Sequence, residues 1–442
     1  MIFKIALLGF AILPVSAANY YLAPQGADNA AGSINAPWKN LDQAQNKMGP
    51  GDTVFVRGGT FAGVNLNWTK SGTAGKPMVI KAYPKETPIF TGSGLNYFVQ
   101  STGQYIVFDG LEISGYTRSA FNPTGGGFLT IRNCNLHNIL ANEYGAITPQ
   151  NCHDILIENN VFREMGRSLD QTLFDHAVYN AAGSHDIVIR NNLFMNSHGG
   201  PAINHYHTPS PYNVLICNNV FIMTLGAERS GVFVGDGAHD VKVYNNTFYL
   251  DGKGATKCYG VHFNSGFGTN EAVNNLFYFS NWPIDDAVIL PGNDKADYNL
   301  YFPAKDADDA GAHSFAADPL FADAAGTDLH LAASSPAINK GMTLPSFAFD
   351  KDGNQRPIGG GFDIGAYESK DGITGIIGRW ASGKRASSGS SRKSRVSLEK
   401  GSLIFFDRNK SPAIQGTEPG GFDAFDTFDA KGGRLPKLSE PE

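Results

Sequence analysis

Histidine, tyrosine and asparagine side chains are concentrated between residues 175 and 207 of the 442-residue chain. Residues 175–179 (DHAVY) are followed by residues 198–207 (HGGPAINHYH). Histidine can accept a proton near neutral pH, tyrosine can donate one, and an asparagine amide can hold a substrate oxygen. These residue types predict a site of acid–base chemistry in which His176 or His207 and Tyr179 transfer the protons.

Other polar side chains near these segments are candidates for substrate binding: Glu143, Arg163, Arg167, Asn204, His205, Asp236 and His262. An arginine or an asparagine can neutralise a carboxylate, so Asn204, Arg163 or Arg167 is assigned that role. His205 and His207 would share a face of one strand and could together bind a metal ion. The sequence specifies no third ligand, so no metal site is predicted.

An internal repeat shows which elements must position these side chains. The first asparagine of each copy lies at position 133, 159, 191, 218, 245 or 274, with spacings of 26, 32, 27, 27 and 29 residues. Short strands with alternating apolar residues form a continuous core only when coils stack, and asparagines at one corner of successive coils can form a hydrogen-bonded ladder. Leucine-rich repeats have similar periods, but they need regularly spaced leucines that are absent here. The repeat therefore predicts an all-β fold, a single-stranded right-handed parallel β-helix.

A second strand of each coil aligns in the same way and carries the candidate site. Its inward residues are predicted to be Ile147, Val178, Ile203, Val232, Val261 and Val288. The next residue of each strand is predicted to face outwards: Thr148, Tyr179, Asn204, Phe233, His262 and Ile289. Because coils stack roughly 4.8 Å apart, the outward residues are expected to reach one ligand. His153, His185 and His239, each followed by an aspartate, are interpreted as turn residues.

The two ends of the chain differ from the repeats. Residues 1–17 contain Lys4, an apolar run and small residues, the pattern of a signal peptide, so we expect a secreted, extracellular or periplasmic protein. Residues 18–368 are assigned to the β-helix domain, with a short capping helix near residues 40–48. Residues 369–442 are rich in Ser, Lys, Arg, Gly and Asp and are predicted to be a disordered low-complexity tail.

Composition excludes several function classes. The formal charge is −6 and the pI is near 6.0, which argues against nucleic acid as a partner. After the first residues, no segment is apolar enough to cross a membrane. We also expect the protein to be a monomer. The four cysteines are Cys134, Cys152, Cys217 and Cys258, and they allow three full disulfide pairings or packed free thiols.

Motifs at both ends of the predicted coil carry a family resemblance. The opening contains residues 21–26 (YLAPQG), 37–39 (PWK) and 51–61 (GDTVFVRGGTF), and the closing segment contains residues 318–321 (DPLF) and 363–368 (DIGAYE). This pattern resembles the pectate-lyase-like superfamily of secreted right-handed parallel β-helix proteins, which includes polysaccharide lyases and β-helix glycosidases. The resemblance implies an extracellular polysaccharide as the partner.

Calcium is the one cofactor that the resemblance raises. The aspartate cluster that holds calcium in pectate lyases is not recognisable here, so calcium is retained only as an alternative. Residues 350–354 (DKDGN) resemble the beginning of a calcium loop but lack its later glutamate, and they are interpreted as a tight turn.

Three functions are consistent with these residues. The leading hypothesis is a polysaccharide lyase that cleaves an acidic, uronate-containing glycan by β-elimination. A glycoside hydrolase would instead need two carboxyl groups, for which Asp175, Asp236 and Glu143 are candidates. A non-catalytic binder or adhesin would use exposed aromatic rings, for which the candidates are Tyr116, Tyr206, Tyr212 and Trp282.

Overall fold

The computed structural model of the protein describes residues 17–167, 174–226, 228–264, 268–281, 287–290, 292–303, 311–325, 327–344 and 347–370, and two short strands beyond them. The chain divides into two compact units, Met1–Ile373 and Thr374–Glu442. In the second unit, the structure describes an antiparallel pair, Leu398–Glu399 and Ser402–Leu403. The predicted signal peptide, apart from Ala17, and most of the predicted tail lie outside the described residues, and both stay predictions.

Three parallel sheets build the first unit and confirm the predicted right-handed parallel β-helix. The first sheet contains Asn19–Leu22, Thr53–Val56, Met78–Ala82, Ile106–Asp109, Gly127–Arg132, His153–Glu158, His185–Arg190, Tyr212–Cys217, His239–Tyr244, Glu271–Val273 and Lys295–Asp297. The second sheet contains Leu66–Trp68, Tyr97–Ser101, Ser119–Pro123, Gly145–Ile147, His176–Asn180, Ile203–His205, Val232–Val234, Val261–Phe263 and Val288–Ile289.

The third sheet closes each coil. It contains Gly59–Ala62, Pro88–Thr91, Glu112–Ser114, Asn135–His137, Val161–Met165, Leu193–Ser197, Val220–Met223, Thr247–Asp251, Leu276–Ser280, Leu300–Phe302 and Phe315–Ala316. In the described part of the first unit, the α-helix is Asp42–Lys47, as predicted, and it buries Ala44 against the first coils. The strands Phe321–Asp323 and Asp328–Leu331 form an antiparallel pair after the last coil.

The interior of the coil is a continuous apolar core. Rings at one position of the third sheet stack along the axis with centroids 4.5 to 4.9 Å apart: Phe162, Phe194, Phe221, Phe248 and Phe277. Their side chains are at most 1% exposed, so each coil covers the rings of its neighbours. This packing requires every coil to keep the same register.

In five of the six copies a second asparagine follows the first, and the two have different roles, while Cys134 takes the second position in the first copy. The first, at positions 133, 159, 191, 218, 245 and 274, adopts a left-handed conformation with φ between 52° and 57°, which asparagine tolerates better than most residues. The second is buried and forms the ladder. Asn219 shows the pattern: its Oδ1 accepts from the backbone N–H of Asn192 at 2.9 Å, and its Nδ2 donates to the carbonyl of Ile189 at 2.9 Å. The ladder therefore ties backbone groups of successive coils together.

Buried charges hold the closing segment. Arg356 and Glu368 form an ion pair with fully buried side chains. The carboxylate of Asp350 accepts hydrogen bonds from the backbone N–H groups of Asp352 (2.9 Å), Asn354 (2.7 Å) and Glu368 (2.8 Å). The segment that resembled a calcium loop is thus a tight turn whose first carboxylate is occupied by N–H donors.

The four cysteines are buried and form no disulfide bond. Of the two alternatives predicted from the sequence, packed thiols are therefore correct. Among the described residues, no helix is long and apolar enough to cross a membrane.

Removing one ladder side chain is expected to destabilise the coil. Asn219→Ala removes the side-chain partners of two buried groups on the preceding coil, the backbone N–H of Asn192 and the carbonyl of Ile189, at a cost of about 1–3 kcal/mol for each group. Urea unfolding should therefore show a lower midpoint than for the wild type. Asn142→Ala is a matched control, because Asn142 is exposed and lies outside the ladder. Equal midpoints for Asn219→Ala and Asn142→Ala would contradict this role.

Candidate active site

The candidate site lies on the outer face of the second sheet. The strand register pairs Tyr179 with Asn204, Asn204 with Phe233, and Phe233 with His262. The inward column predicted from the sequence is buried throughout, and Val178 pairs with Ile147 and Ile203. Strand alternation therefore brings these outward side chains into one line, as expected.

Thr148 occupies the outward column without being exposed. Its hydroxyl donates to the carbonyl of Gly145 and accepts from the N–H of Gly145, both at 2.9 Å. The side chain is fully buried. The accessible part of the column thus begins one coil later, at Tyr179.

His176 lies beneath the surface of the site. It is 1% exposed, its Nδ1 lies 2.8 Å from the carbonyl of Pro201, and its Nε2 lies 2.9 Å from the amide Nδ2 of Asn204. A carbonyl can only accept, so we assign the proton to Nδ1, and Nε2 accepts from Asn204. Burial lowers the pKa of His176 to about 4, so it is neutral at pH 7. In this geometry His176 orients Asn204 and does not reach a substrate.

Tyr179 and His207 meet at the accessible surface. Their ring centroids are 6.4 Å apart, and the Tyr179 ring also lies 5.3 Å from that of His176. Burial, together with smaller contributions from Tyr206, Tyr144 and Asp236, raises the pKa of Tyr179 to about 12. The Tyr179 phenol therefore stays protonated, beside an exposed imidazole that can accept a proton.

His205 is not brought to this surface. It follows the outward Asn204 on the same strand, so its ring points inwards, where it is fully buried. Its Nδ1 accepts from Asn180 at 2.9 Å, and burial lowers its pKa to about 3. His207 lies beyond the strand end with φ 93°, where alternation no longer holds. The predicted substrate contact by His205 and its pairing with His207 on one face are therefore corrected.

The predicted acidic and basic residues separate into distinct groups. The fully buried carboxylate of Asp175 accepts from Arg167 Nε at 2.7 Å and Nη2 at 2.8 Å, and from the backbone N–H of Glu143 at 2.9 Å. This clasp joins Arg167 to Asp175, the residue before the strand His176–Asn180. Arg163 lies on the third sheet, where its Nε donates to Asn135 at 3.2 Å, so it is not brought to the site.

Asp236 and His262 are the two remaining residues that were predicted to bind substrate. Asp236 is exposed, its carboxylate accepts from the hydroxyl of Thr208 at 3.2 Å, and it is close enough to raise the pKa of Tyr179. His262 lies edge-on between Phe233 and Tyr259, with ring centroids 5.0 and 5.2 Å away. Asp236 thus lies near the Tyr179 and His207 pair, whereas His262 lies three coils from Tyr179 along the column.

Arg118 and Tyr144 are site residues that the sequence reasoning missed. The guanidinium of Arg118 lies 4.2 Å from the centroid of the Tyr144 ring, and its Nη1 donates to the hydroxyl of Tyr97 at 3.3 Å. Within the described residues, Arg118 has no carboxylate partner and its Nε has no hydrogen-bond acceptor. Arg118, Tyr144 and Asp175 each precede a strand of the second sheet, so aligning strand starts would have found them.

Calcium does not fit the residues present. Calcium takes six to eight oxygen ligands, whereas Asp175 is occupied by Arg167 and Asp350 by backbone N–H groups. Among the described residues, no group of three or more His, Cys, Asp or Glu side chains is placed to hold a metal ion.

The described coil of three parallel sheets, with its polar outer column, is a right-handed parallel β-helix. Residues 20–170 match the family model of the Pel9A-like right-handed beta helix region. Pectate lyase PEL9 of Emericella nidulans is 43% identical over 82 residues, covering 18% of this chain and 20% of that protein. The uncharacterized protein YwoF of Bacillus subtilis is 26% identical over 153 residues, covering 34% of this chain and 30% of that protein.

Solved structures share the fold over most of the coil. The crystal structure of pectate lyase Pel9A matches with a TM-score of 0.60 and 17% identity, covering 80% of this chain and 97% of that chain. A glycoside hydrolase matches with a TM-score of 0.50 and 9% identity, covering 64% of this chain and 93% of that chain. These findings confirm the resemblance to the pectate-lyase-like superfamily of right-handed parallel β-helix proteins, and the chain shares the lyase-type fold of pectate lyase Pel9A.

The two buried histidines make stability depend on pH. An unfolded chain protonates histidine near pH 6.5, whereas the folded-state pKa values are about 4 for His176 and about 3 for His205. The unfolded state therefore binds more protons below about pH 6.5, and the free energy of unfolding falls as the pH is lowered from there towards about pH 4. Urea unfolding measured between about pH 6.5 and about pH 4 should show this decrease in the free energy of unfolding.

Two variants separate this effect from general acid sensitivity. His176→Asn and His205→Asn each remove one titrating group, so each should make the loss shallower. Tyr179→Phe should keep the wild-type slope, because the pKa of Tyr179, about 12, lies far above this range. A wild-type free energy of unfolding that is constant between about pH 6.5 and about pH 4 would contradict the buried neutral state of both histidines.

Proposed function

We propose that this protein is a secreted polysaccharide lyase that cleaves an acidic, uronate-containing glycan by β-elimination on the outer face of the second sheet. The observation that carries the proposal is the pairing of Tyr179 with His207 at an accessible surface, with ring centroids 6.4 Å apart. One group can donate a proton and the other can accept one. The lyase-type fold supports the same assignment, and secretion rests on the predicted signal peptide.

The reaction needs one base and one acid. The His207 imidazole accepts the proton from the carbon next to the uronate carboxylate. As a carbon–carbon double bond forms, the carbon–oxygen bond to the leaving sugar breaks, and the Tyr179 hydroxyl donates its proton to the leaving oxygen. The raised pKa of Tyr179 keeps this hydroxyl protonated before each turnover. Proton return from His207 to Tyr179 through water restores the starting state.

Substrate carboxylates must be held while negative charge develops. Asn204 is oriented by His176, and its amide nitrogen has a second N–H group that can donate to the carboxylate of the reacting sugar. Arg167 is paired with Asp175, and Arg163 lies on the third sheet, so neither is available to bind a substrate carboxylate. Arg118 takes this role instead. Its strand lies two coils from that of Tyr179, roughly 10 Å away, so Arg118 binds the carboxylate of a neighbouring sugar.

The lyase assignment is tested with purified protein on a panel of uronic-acid polysaccharides. The product of β-elimination has a conjugated double bond that absorbs ultraviolet light. With a substrate that is cleaved, Tyr179→Phe and His207→Ala should each lower kcat by about 10²–10⁴-fold. Tyr83→Phe is the control, because Tyr83 lies in the early coils near Arg57, away from this column.

Other outcomes would overturn this assignment. Reducing ends without ultraviolet absorbance would indicate a hydrolase, for which Glu143 and Asp236 are the candidate carboxyl groups. Binding without any product would indicate a glycan-binding protein. Full activity of both Tyr179→Phe and His207→Ala would remove the proposed acid and base.

Arg118 is expected to determine the preference for charged substrates. Loss of a charge-assisted hydrogen bond costs about 1.5–3 kcal/mol, so Arg118→Gln should raise KM about 10- to 100-fold with little change in kcat. Arg118→Lys should recover part of the loss. The same variants should have equal KM values for a methyl-esterified substrate, which lacks the carboxylate charge. An equal increase in KM for both substrates would indicate that Arg118 only supports the local fold.

A further inference from the structure

A second line of rings runs along the outer face of the first sheet. We call it the ring stripe, and its members are Tyr105, Phe128, His153, His185, Tyr212 and His239. The strand register pairs His153 with His185, His185 with Tyr212, and Tyr212 with His239. The three histidines, which the sequence pattern predicts to be turn residues, are instead the first residues of their strands. The proposed reaction does not use them.

The rings are in continuous contact over six successive coils. Neighbouring centroids are 4.3 Å apart for Tyr105 and Phe128, 5.7 Å for His153 and His185, and 4.6 Å for His185 and Tyr212. The planes turn by 88° between Phe128 and His153 and by 62° between Tyr212 and His239. At these two steps, the rings do not cover each other's faces, so the stripe offers ring faces as well as ring edges.

The rings of the ring stripe are exposed to solvent, whereas the stacked phenylalanine rings of the interior are buried. Phe128 and Tyr212 are 38% and 37% exposed, whereas the interior phenylalanine stack is at most 1% exposed. Elsewhere on this sheet, the protein covers its own apolar surface, because Met342, Leu344 and Phe347 pack around Tyr244. The stripe is left to solvent, and exposed aromatic lines of this kind mark binding surfaces.

Carboxylates accompany the histidines. Asp154 and Asp186 lie 2.8 and 2.7 Å from Nδ1 of the preceding histidine, and the Asp240 carboxylate lies 3.6 Å from His239 Nδ1. The three aspartate side chains are 46%, 42% and 54% exposed. Carboxylate oxygens accept hydrogen bonds from hydroxyl groups, and the same negative charges repel a polyanion.

We infer that the ring stripe is a second binding surface, whose ligand is a linear, neutral, hydroxyl-rich polysaccharide. Rings repeat once per coil, at a spacing close to the length of one sugar ring, so successive sugars can each contact a ring, and carboxylates lie beside three of the six rings. The surface lies on a different sheet from the Tyr179 column and is complementary to a ligand of different charge. This inference goes beyond the proposed lyase function and does not depend on it. The stripe would anchor the protein on a neutral polysaccharide matrix.

Binding to insoluble neutral glycans tests the inference directly. Purified protein is incubated with microcrystalline cellulose, insoluble xylan or insoluble mannan, and the bound fraction is measured by depletion. The wild type should bind at least one of them, and binding should persist in about 0.5 M NaCl, where exposed charges are screened. The double variant H185A/Y212A should bind about tenfold more weakly. Phe349→Ala is the matched control, because Phe349 is an exposed ring, 58% accessible, outside the stripe.

A second variant guards against loss of folding. The double variant D154N/D186N keeps the shape of both side chains but removes the charges, and it should also bind the neutral glycan more weakly while keeping the wild-type Tm. The inference is overturned if the wild type binds none of the three glycans, if salt abolishes its binding, or if H185A/Y212A binds as the wild type does. Activity on a soluble uronate polysaccharide, measured in parallel, tests the lyase proposal separately, since neither variant alters the Tyr179 column.

Discussion

The hydrogen bonding between successive coils is the constraint on which the rest of this structure depends. Parallel strands fix which residue lies above and below each position, and the buried asparagine ladder adds side-chain bonds at one corner of the coil. A slip of one residue would turn every outward side chain into the core. Asn219 opposes such a slip, because its amide bonds to a carbonyl on one strand while its oxygen accepts from Asn192.

This register explains why two histidines of similar sequence context have different roles. His205 is on the inward side of its strand and is completely buried, whereas His207 lies past the strand end and is exposed. His176 is buried at the start of its strand but contacts the outward Asn204 through its ring nitrogen. Burial, rather than residue type, therefore decides which imidazole can meet a substrate and which one holds a neighbour in place.

The coil presents two outer faces with different chemistry. The second sheet carries Tyr179, Asn204 and, two coils away, Arg118, a cation with no carboxylate partner among the described residues. The first sheet carries aromatic rings flanked by Asp154, Asp186 and Asp240. Because the register places side chains of successive coils in line, each face can contact several units of an extended polymer. A solenoid is suited to such ligands, since its binding surfaces lengthen with the number of coils.

The sequence by itself determined the coil and much of the outward column. Asparagine spacing and apolar alternation predict the stacked strands, and they correctly place Val178 inside and Tyr179 and His262 outside, because period-two alternation is a local property of a strand. Tertiary structure decided what happens where strands end. The turn at His207, the clasp between Arg167 and Asp175, and the stacking of Arg118 on Tyr144 depend on contacts between coils. Sequence spacing does not encode those contacts, because loop conformation is set by the neighbours against which the loop packs.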